Sequence, residues 1–409
     1  MQTHLRTRQC GPAYTSWHDG KAAFSTRDVS ILIPTINTPN DFTVCMRLWL
    51  ANAPREIIIV TIPRDLQRVN ELLAAVEHDQ SVPIHVLTVP KPGRREQMSL
   101  AIRHATGKII AYVDDDTYWP SNQVLPHLLA GFENPRVGGV GGKQSAFVPT
   151  ERRKPGIVTA SEVASVRALA GSAASNADLY AREGVVWCLT GRTLLARAAA
   201  LQTPEFCHAL THDTWAGKKI NTGDDGFITH YLMNRGWRLA FQSAPEAEVL
   251  TLVEPAENFI KQLVRWRRSG YRTYYALALH EPGFRTFYAW YPYFGRLVAR
   301  FLVRPLTTVV HSLVWLHAFW AHPKFAAALF AYQLHLSASE ALSFYRQNPW
   351  IGYRNIWAIM VMDNLYQLIN VYVCLTLGVE GWLTRDDSQK GCADDEMHEL
   401  DASLQDEER

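Results

Sequence analysis

A chain of 409 residues, 47 % hydrophobic and 20 % charged, is too apolar to be disordered or fibrous, and is long enough for two or three domains or for one domain with a membrane part. The net charge of +2 conceals an asymmetry. Residues 386–409 hold ten acids against Lys390 and Arg409, a net charge of −8, which leaves about +10 on the rest of the chain. Six scattered cysteines without a CxxC pair point to a reducing compartment, not to a disulfide framework or a zinc site. The first thirty residues contain no long apolar run, so no signal peptide is expected.

From 28 to 250, short apolar runs alternate with helical stretches. Strands are expected at Val29–Pro34, Glu56–Thr61, Ile84–Val89 and Lys108–Val113, with helices over 64–78 and 95–106 between them. Runs of β-branched residues separated by helix-length segments indicate parallel strands buried on both faces. The fold class is therefore α/β, doubly wound, with ligands bound beyond the carboxyl ends of the strands.

Residues 257–304 are strongly basic and interleaved with aromatics, from Lys261, Arg265, Trp266 and Arg267 to Tyr291, Arg300 and Arg304. That composition suits nucleic acid as well as a membrane surface. Long apolar segments follow at once, at about 298–321, 325–345 and 355–379, so a helix at the cytosolic headgroup layer is the better reading. No nucleic-acid partner is expected. The arginines cluster on the side facing the first zone, which places that zone on the cytosolic side of an integral membrane protein. The acidic tail is expected to be solvated and disordered.

Three motifs carry chemistry. Asp114-Asp115-Asp116 ends the fourth strand, where three adjacent carboxylates repel one another unless a hard divalent cation, Mg²⁺ or Mn²⁺, sits among them. Asn221-Thr222-Gly223-Asp224-Asp225-Gly226 precedes a helix over 227–234. Asp224 is suited to capping that helix or binding an acceptor, and Asp225 to acting as a general base. In Gln262-Leu263-Val264-Arg265-Trp266, the i, i+3 and i+4 spacing puts Gln262, Arg265 and Trp266 on one helix face. Arg265 offers a planar fork for a phosphate and Trp266 a flat face for a sugar ring.

Taken in this order, the motifs resemble those of the family 2 glycosyltransferases, and among them the membrane-bound polysaccharide synthases of the hyaluronan and chitin type. The nearest overall look is that of fungal hyaluronan-synthase-like enzymes thought to make a cell-surface polysaccharide. Pro34-Thr35 corresponds to the strand that opens the nucleotide pocket, Asp114–Asp116 to the metal-binding DxD, Thr222–Asp225 to the catalytic-base motif, and Gln262–Trp266 to the QxxRW signature. Trp382-Leu383-Thr384-Arg385 looks like the gating loop that follows the membrane helices.

The resemblance implies a GT-A-type catalytic domain over 28–256 behind an N-terminal segment, 1–27. Basic interfacial helices would cover 257–297, membrane helices 298–380, and the gating-like motif and acidic tail 381–409. It implies a UDP-sugar donor whose diphosphate rests on Mn²⁺ or Mg²⁺ held mainly by Asp116 with Asp114 in support. Lys91, Arg94 or Arg95 would neutralise part of that diphosphate, with Gln262 also on the donor side. Asp225 would deprotonate the acceptor, Arg265 would stabilise the leaving UDP with inversion at the anomeric carbon, and Trp266 and Asp224 would face the acceptor.

The acid expected at the end of the second strand is absent there, and the nearest is Asp65. Membrane helices before the catalytic domain and after the gating loop are also absent, so a shortened member unable to secrete polymer unaided is expected. Donor choice is assigned to the walls at Val140–Lys143 and Trp187–Gly191. An even number of spans between two cytosolic parts predicts true spans at 298–321 and 325–345, with 355–379 interfacial or re-entrant. The host membrane would be the plasma membrane or one of the secretory pathway. The alternatives are a transferase acting on a lipid acceptor of the ceramide type, and a catalytically weak membrane scaffold.

Overall fold

The computed structural model describes residues 23–77, 81–253, 256–280 and 283–380. The gating-like motif at 382–385, the acidic tail and most of the N-terminal segment lie outside the described residues. The strands are β1 (Val29–Pro34), β2 (Glu56–Thr61), β3 (Ile84–Thr88), β4 (Ile109–Val113), β5 (Thr117–Tyr118), β6 (Val137–Gly142), β7 (Gln144–Phe147), β8 (Thr193–Arg197), β9 (Thr214–Trp215), β10 (Lys218–Lys219), β11 (Arg238–Gln242) and β12 (Val249–Leu252). The helices are α1 (Phe42–Leu50), α2 (Leu66–Ala74), α3 (Arg94–His104), α4 (Val124–Leu129), α5 (Ala160–Glu183), α6 (Ala198–Leu201), α7 (Pro204–Thr211), α8 (Asp224–Asn234), α9 (Ala256–Leu279), α10 (Phe284–Trp290), α11 (Pro292–Ala321), α12 (Pro323–Gln347) and α13 (Ile356–Leu375).

Seven strands form the main sheet in the order β11-β6-β8-β4-β1-β2-β3. All pairs are parallel except those of β8, which runs antiparallel to β4 and β6. β1, β2 and β4 are buried along their whole length, as two-sided apolar runs require. β3 differs from the expectation of burial on both faces. It is the sheet edge, and its residues alternate between half-buried and exposed. Two apolar layers sandwich the sheet. One contains Ile31, Ile57, Ile109 and Trp49; the other contains Leu32, Ile58 and Ile110, and runs on without a break through Leu263, Tyr271 and Phe301 to Val373. Gln97 of α3 donates to the carbonyls of Thr35 (3.0 Å) and Val60 (2.7 Å), pinning the carboxyl ends of β1 and β2 together.

The basic helix packs one apolar face into the protein. Phe259, Leu263, Tyr271 and Tyr274 of α9 are buried in the protein, because this face completes the second apolar layer. After α9 the exposed surface becomes apolar: Leu306, Leu313, Val314 and Leu316 on α11, and Trp357, Val361 and Leu368 on α13. Among the described residues, two helical segments are long and apolar enough to cross a membrane, Pro292–Ala321 and Tyr353–Leu375. The expected pair was 298–321 with 325–345. The helix over 323–347 carries Lys324, His335, Glu340 and Arg346, whereas 353–375 carries only Arg354 and Asp363, so by length and composition the second candidate is the segment that contains α13.

Candidate active site

The carboxyl ends of β1 and β4, the first turns of α3 and α8, and the middle of α9 enclose one cavity of about 840 Å³. The sheet sets its floor. β4 delivers Asp114–Asp116 beside Pro34 and Thr35 because β1 and β4 are parallel neighbours that end at the same level. Gly223, at φ +71°, lets the chain turn sharply into α8. A Cβ at Gly223 would lie 3.0 Å from Ser269 Cβ, so this glycine also allows the loop to rest against α9, where Arg265 and Trp266 sit.

The acids are not equivalent. Asp115 also borders the cavity but is almost wholly buried, and its Oδ2 accepts from Thr35 Oγ1 at 2.5 Å. Asp224 accepts from Tyr112 Oη (2.6 Å) and Arg94 Nε (3.0 Å), and Arg94 also pairs with Asp114. Burial alone would push the Asp224 carboxyl up, but Arg94 and the Tyr112 hydroxyl outweigh it and hold Asp224 below its ordinary range. Asp225 goes the other way. Burial and the Asp224 charge raise its pKa, although it accepts from the Gly226 amide (2.8 Å) and the Gly191 amide (3.3 Å). Two adjacent acids thus have opposite proton affinities, the pattern by which a site separates a permanent charge from a proton acceptor. Arg265 is nearly buried. Burial, reinforced by Arg94, brings its pKa down to about 10, while Asp114, Asp224 and Asp225 pull against that fall.

Of the residues singled out from the sequence, Pro34, Thr35, Arg94, Asp114, Asp116, Asp224, Asp225, Gln262, Arg265 and Trp266 all line this cavity. Asp224 does not cap α8. It is the first residue of that helix and points to Arg94 instead. Three residues lie elsewhere. Arg95 is buried behind the site, donating to the carbonyls of Leu210 (3.1 Å) and Thr222 (3.0 Å) and pairing with Asp213 at 2.9 Å. Consecutive helical residues point about a quarter-turn or more apart, so Arg94 and Arg95 cannot both face the cavity. Arg95 therefore braces the Thr222–Asp225 loop. Asp65, in the turn after β2, accepts from the Asn37 amide (2.7 Å) and pairs with Arg64 at 3.2 Å, just under the rim. Lys91 is exposed and off the lining. Of the two expected specificity walls, Trp187, Cys188, Thr190 and Gly191 line the cavity, whereas Gly141 and Gly142 of the other border only a small neighbouring void of about 20 Å³.

Sequence reasoning missed Arg192, Arg272 and Glu380. Arg192 is half-buried, donates to Gln144 (2.9 Å) and lies 4.8 Å over the Trp266 ring. Arg272 donates to the carbonyls of Leu377 (2.9 and 2.6 Å) and Val379 (2.7 Å), pairs with Glu380 and reaches Thr222 Oγ1 at 3.4 Å, so that the segment after α13 is strapped to the loop that leads into α8. Its position seven residues after Arg265, on the same side of α9, was the available signal.

Among the described residues no three His, Cys, Asp or Glu side chains converge as a closed metal cage. The cavity instead offers Asp114 and Asp116 at a strand end. That donor set fits a hard divalent ion of the Mg²⁺ or Mn²⁺ kind, which is commonly held by one or two carboxylates together with substrate phosphates.

A mostly parallel α/β sheet carrying such a cavity at its carboxyl edge is the architecture of a GT-A-like glycosyltransferase. The model of the glycosyltransferase like family 2 matches residues 26–269, well over half the chain. An NDP-glycosyltransferase, ltbB, of Aspergillus luteorubrus is 37 % identical over 366 residues, covering 88 % of this chain and 89 % of the relative. A type 2 glycosyltransferase of Zymoseptoria tritici is 35 % identical over 251 residues, 61 % of this chain and 51 % of that protein. Among solved structures, the mannosyltransferase PcManGT of Pyrobaculum calidifontis, in complex with GDP-Man and Mn²⁺, superposes with a TM-score of 0.54 at 17 % identity over 83 % of this chain and 87 % of that one, a likeness of fold. The chain belongs to the family 2 glycosyltransferases and is a glycosyltransferase.

Proposed function

We propose that the protein transfers a sugar, with inversion, from a UDP-sugar to a hydroxyl of a growing cell-surface polysaccharide, working at the cytosolic face of a plasma or secretory-pathway membrane. The observation that carries this reading is the convergence of Asp114, Asp116, Asp225 and Arg265, from three distant stretches of sequence, on one cavity at the sheet edge. Pro34, Thr35 and the buried Asp65 beneath them form the nucleotide side. Asp116 and Asp114 would hold Mn²⁺ or Mg²⁺, which when bound neutralises diphosphate charge.

Arg94 is already oriented by Asp114 and Asp224, and presents a fixed cation at the donor side of the cavity that Gln262 also lines. Asp225, with its raised proton affinity, takes the proton of the acceptor hydroxyl as that oxygen bonds to the anomeric carbon. The bond to the diphosphate breaks, and Arg265 stabilises the charge that develops on the departing UDP. Asp224 remains ionised and keeps Arg94 and Tyr112 in place. One face of Trp266 is covered by Arg192, so an acceptor sugar would stack on the other.

A lipid acceptor is the second reading. It is favoured by the extent of the cavity, whose lining continues to Arg300 and Arg304 on α11 and Tyr366 on α13. A UDP-release assay over several UDP-sugars, in detergent, with Mn²⁺ and with Mg²⁺, tests the proposal. One UDP-sugar should give metal-dependent release that Asp225→Asn abolishes. Release indifferent to that substitution would refute it. Product mass separates a polymer from a single sugar on a lipid.

A further inference from the structure

Past Trp266 the cavity leaves the sheet and runs between α5, α9, α11 and α13. Its far end is lined by five arginine and aspartate side chains, and their pairing is uneven. Arg167 is matched by Asp363 at 3.2 Å. Arg267, Arg300 and Arg304 have no carboxylate within ion-pair distance among the described residues. Arg267 is fixed, its guanidinium lying 4.4 Å over the Tyr366 ring and 5.8 Å from that of Phe301. Burial lowers its pKa; Tyr366 opposes that fall, and the nearby Arg304 charge adds to it. Neighbouring like charges without a counter-charge are unfavourable, more so at the half-buried Arg267 and Arg304 than at the exposed Arg300, and planar guanidinium forks match phosphate oxygens well.

The level of this cluster on α11 matters as much as its charge. Pro305 follows Arg304 directly, and from Leu306 onward the outer surface of the helix is exposed and apolar: Leu306 is 66 % and Leu313 59 % exposed. The three cations therefore sit where a protein-lined cavity gives way to a surface suited to acyl chains. An anion meeting them there with an apolar body attached would lay that body along α11.

We propose that this end of the cavity is a binding site for an anionic phospholipid, whose headgroup phosphate is held by Arg267, Arg300 and Arg304. The site stands on its own geometry and does not depend on the glycosyl-transfer mechanism.

The test uses the purified full chain in mixed micelles containing phosphatidylglycerol or phosphatidylcholine, with bound lipid counted by native mass spectrometry. One phosphatidylglycerol should be retained in preference to phosphatidylcholine. Arg267→Gln and Arg304→Gln should each weaken its binding roughly tenfold, the value of one charge-assisted contact. The exposed Arg300→Gln keeps the test valid if a buried variant misfolds. Arg285→Gln, an exposed cation off the cavity, should leave retention unchanged. Equal retention of both lipids, or an equal loss with Arg285→Gln, would reduce the effect to general surface attraction and overturn the proposal. Displacement by millimolar inorganic phosphate as effective as by lipid would make it a soluble-phosphate site and overturn the lipid assignment. UDP release is read separately, so failure here is distinct from failure of the proposed transfer.

Discussion

Replacing Arg272 by Lys tests whether the strap after α13 is a built element. Lysine keeps the positive charge facing Glu380 but lacks the planar fork that serves two carbonyls at once. The carbonyls of Leu377 and Val379 lose their guanidinium donors, now at 2.6–2.9 Å. Both residues are partly open to water, so each of the two carbonyls left without its donor costs near the low end of the range for an unsatisfied group, about 1 kcal/mol. The segment should therefore be held about 2 kcal/mol less tightly, roughly a 30-fold rise in its open population. Arg268 still donates to Thr376 Oγ1 (3.0 Å), and α13 keeps its buried Met362, Ile369 and Val373, so global melting should change little. Hydrogen exchange reads this directly. The Val379 amide, bonded to the Thr376 carbonyl at 3.1 Å, should exchange about 30-fold faster while amides within α9 stay protected. An unchanged rate at 376–380 would show that something other than Arg272 holds the strap.

Three further outcomes are expected. In the proposed transfer Asp225 must be ionised to accept a proton, and its pKa in the ligand-free enzyme is raised, so kcat/KM should fall as pH drops through a value above the ordinary carboxyl range; Arg265, at about 10, should set a falling limb near pH 10, giving a bell-shaped profile of kcat/KM. Arg94→Met should raise the donor KM, whereas Arg95→Met, which uncovers the Thr222 and Leu210 carbonyls and Asp213, should cost about 3 kcal/mol of stability in a denaturant melt; the reverse assignment would return Arg95 to the donor site. Chelation should abolish UDP release and Mn²⁺ or Mg²⁺ restore it, with Asp116→Asn raising the metal concentration needed by about tenfold or more.

What the sequence determined by itself was whatever is local and periodic. The short, β-branched apolar runs at Val29–Pro34 and Glu56–Thr61 favour buried strands, and they begin and end where the pattern of residues predicts. The acids of Asp114–Asp116 and Asp224-Asp225, and the i, i+3, i+4 face of Gln262–Trp266, were legible because strand ends and helix faces are set by short-range geometry. Which way a side chain points from a given turn was decided only by packing. Arg94 and Arg95 are neighbours of one chemistry, yet one reaches the cavity and the other is buried 3.0 Å from the Thr222 carbonyl, because the helix rotates between them. The opposite proton affinities of Asp224 and Asp225, the burial of the α9 apolar face, and the meeting of Arg272 with residues 377–380 all rest on contacts between segments more than a hundred residues apart or on the desolvation those contacts create. No local pattern encodes either, so only the tertiary structure could supply them.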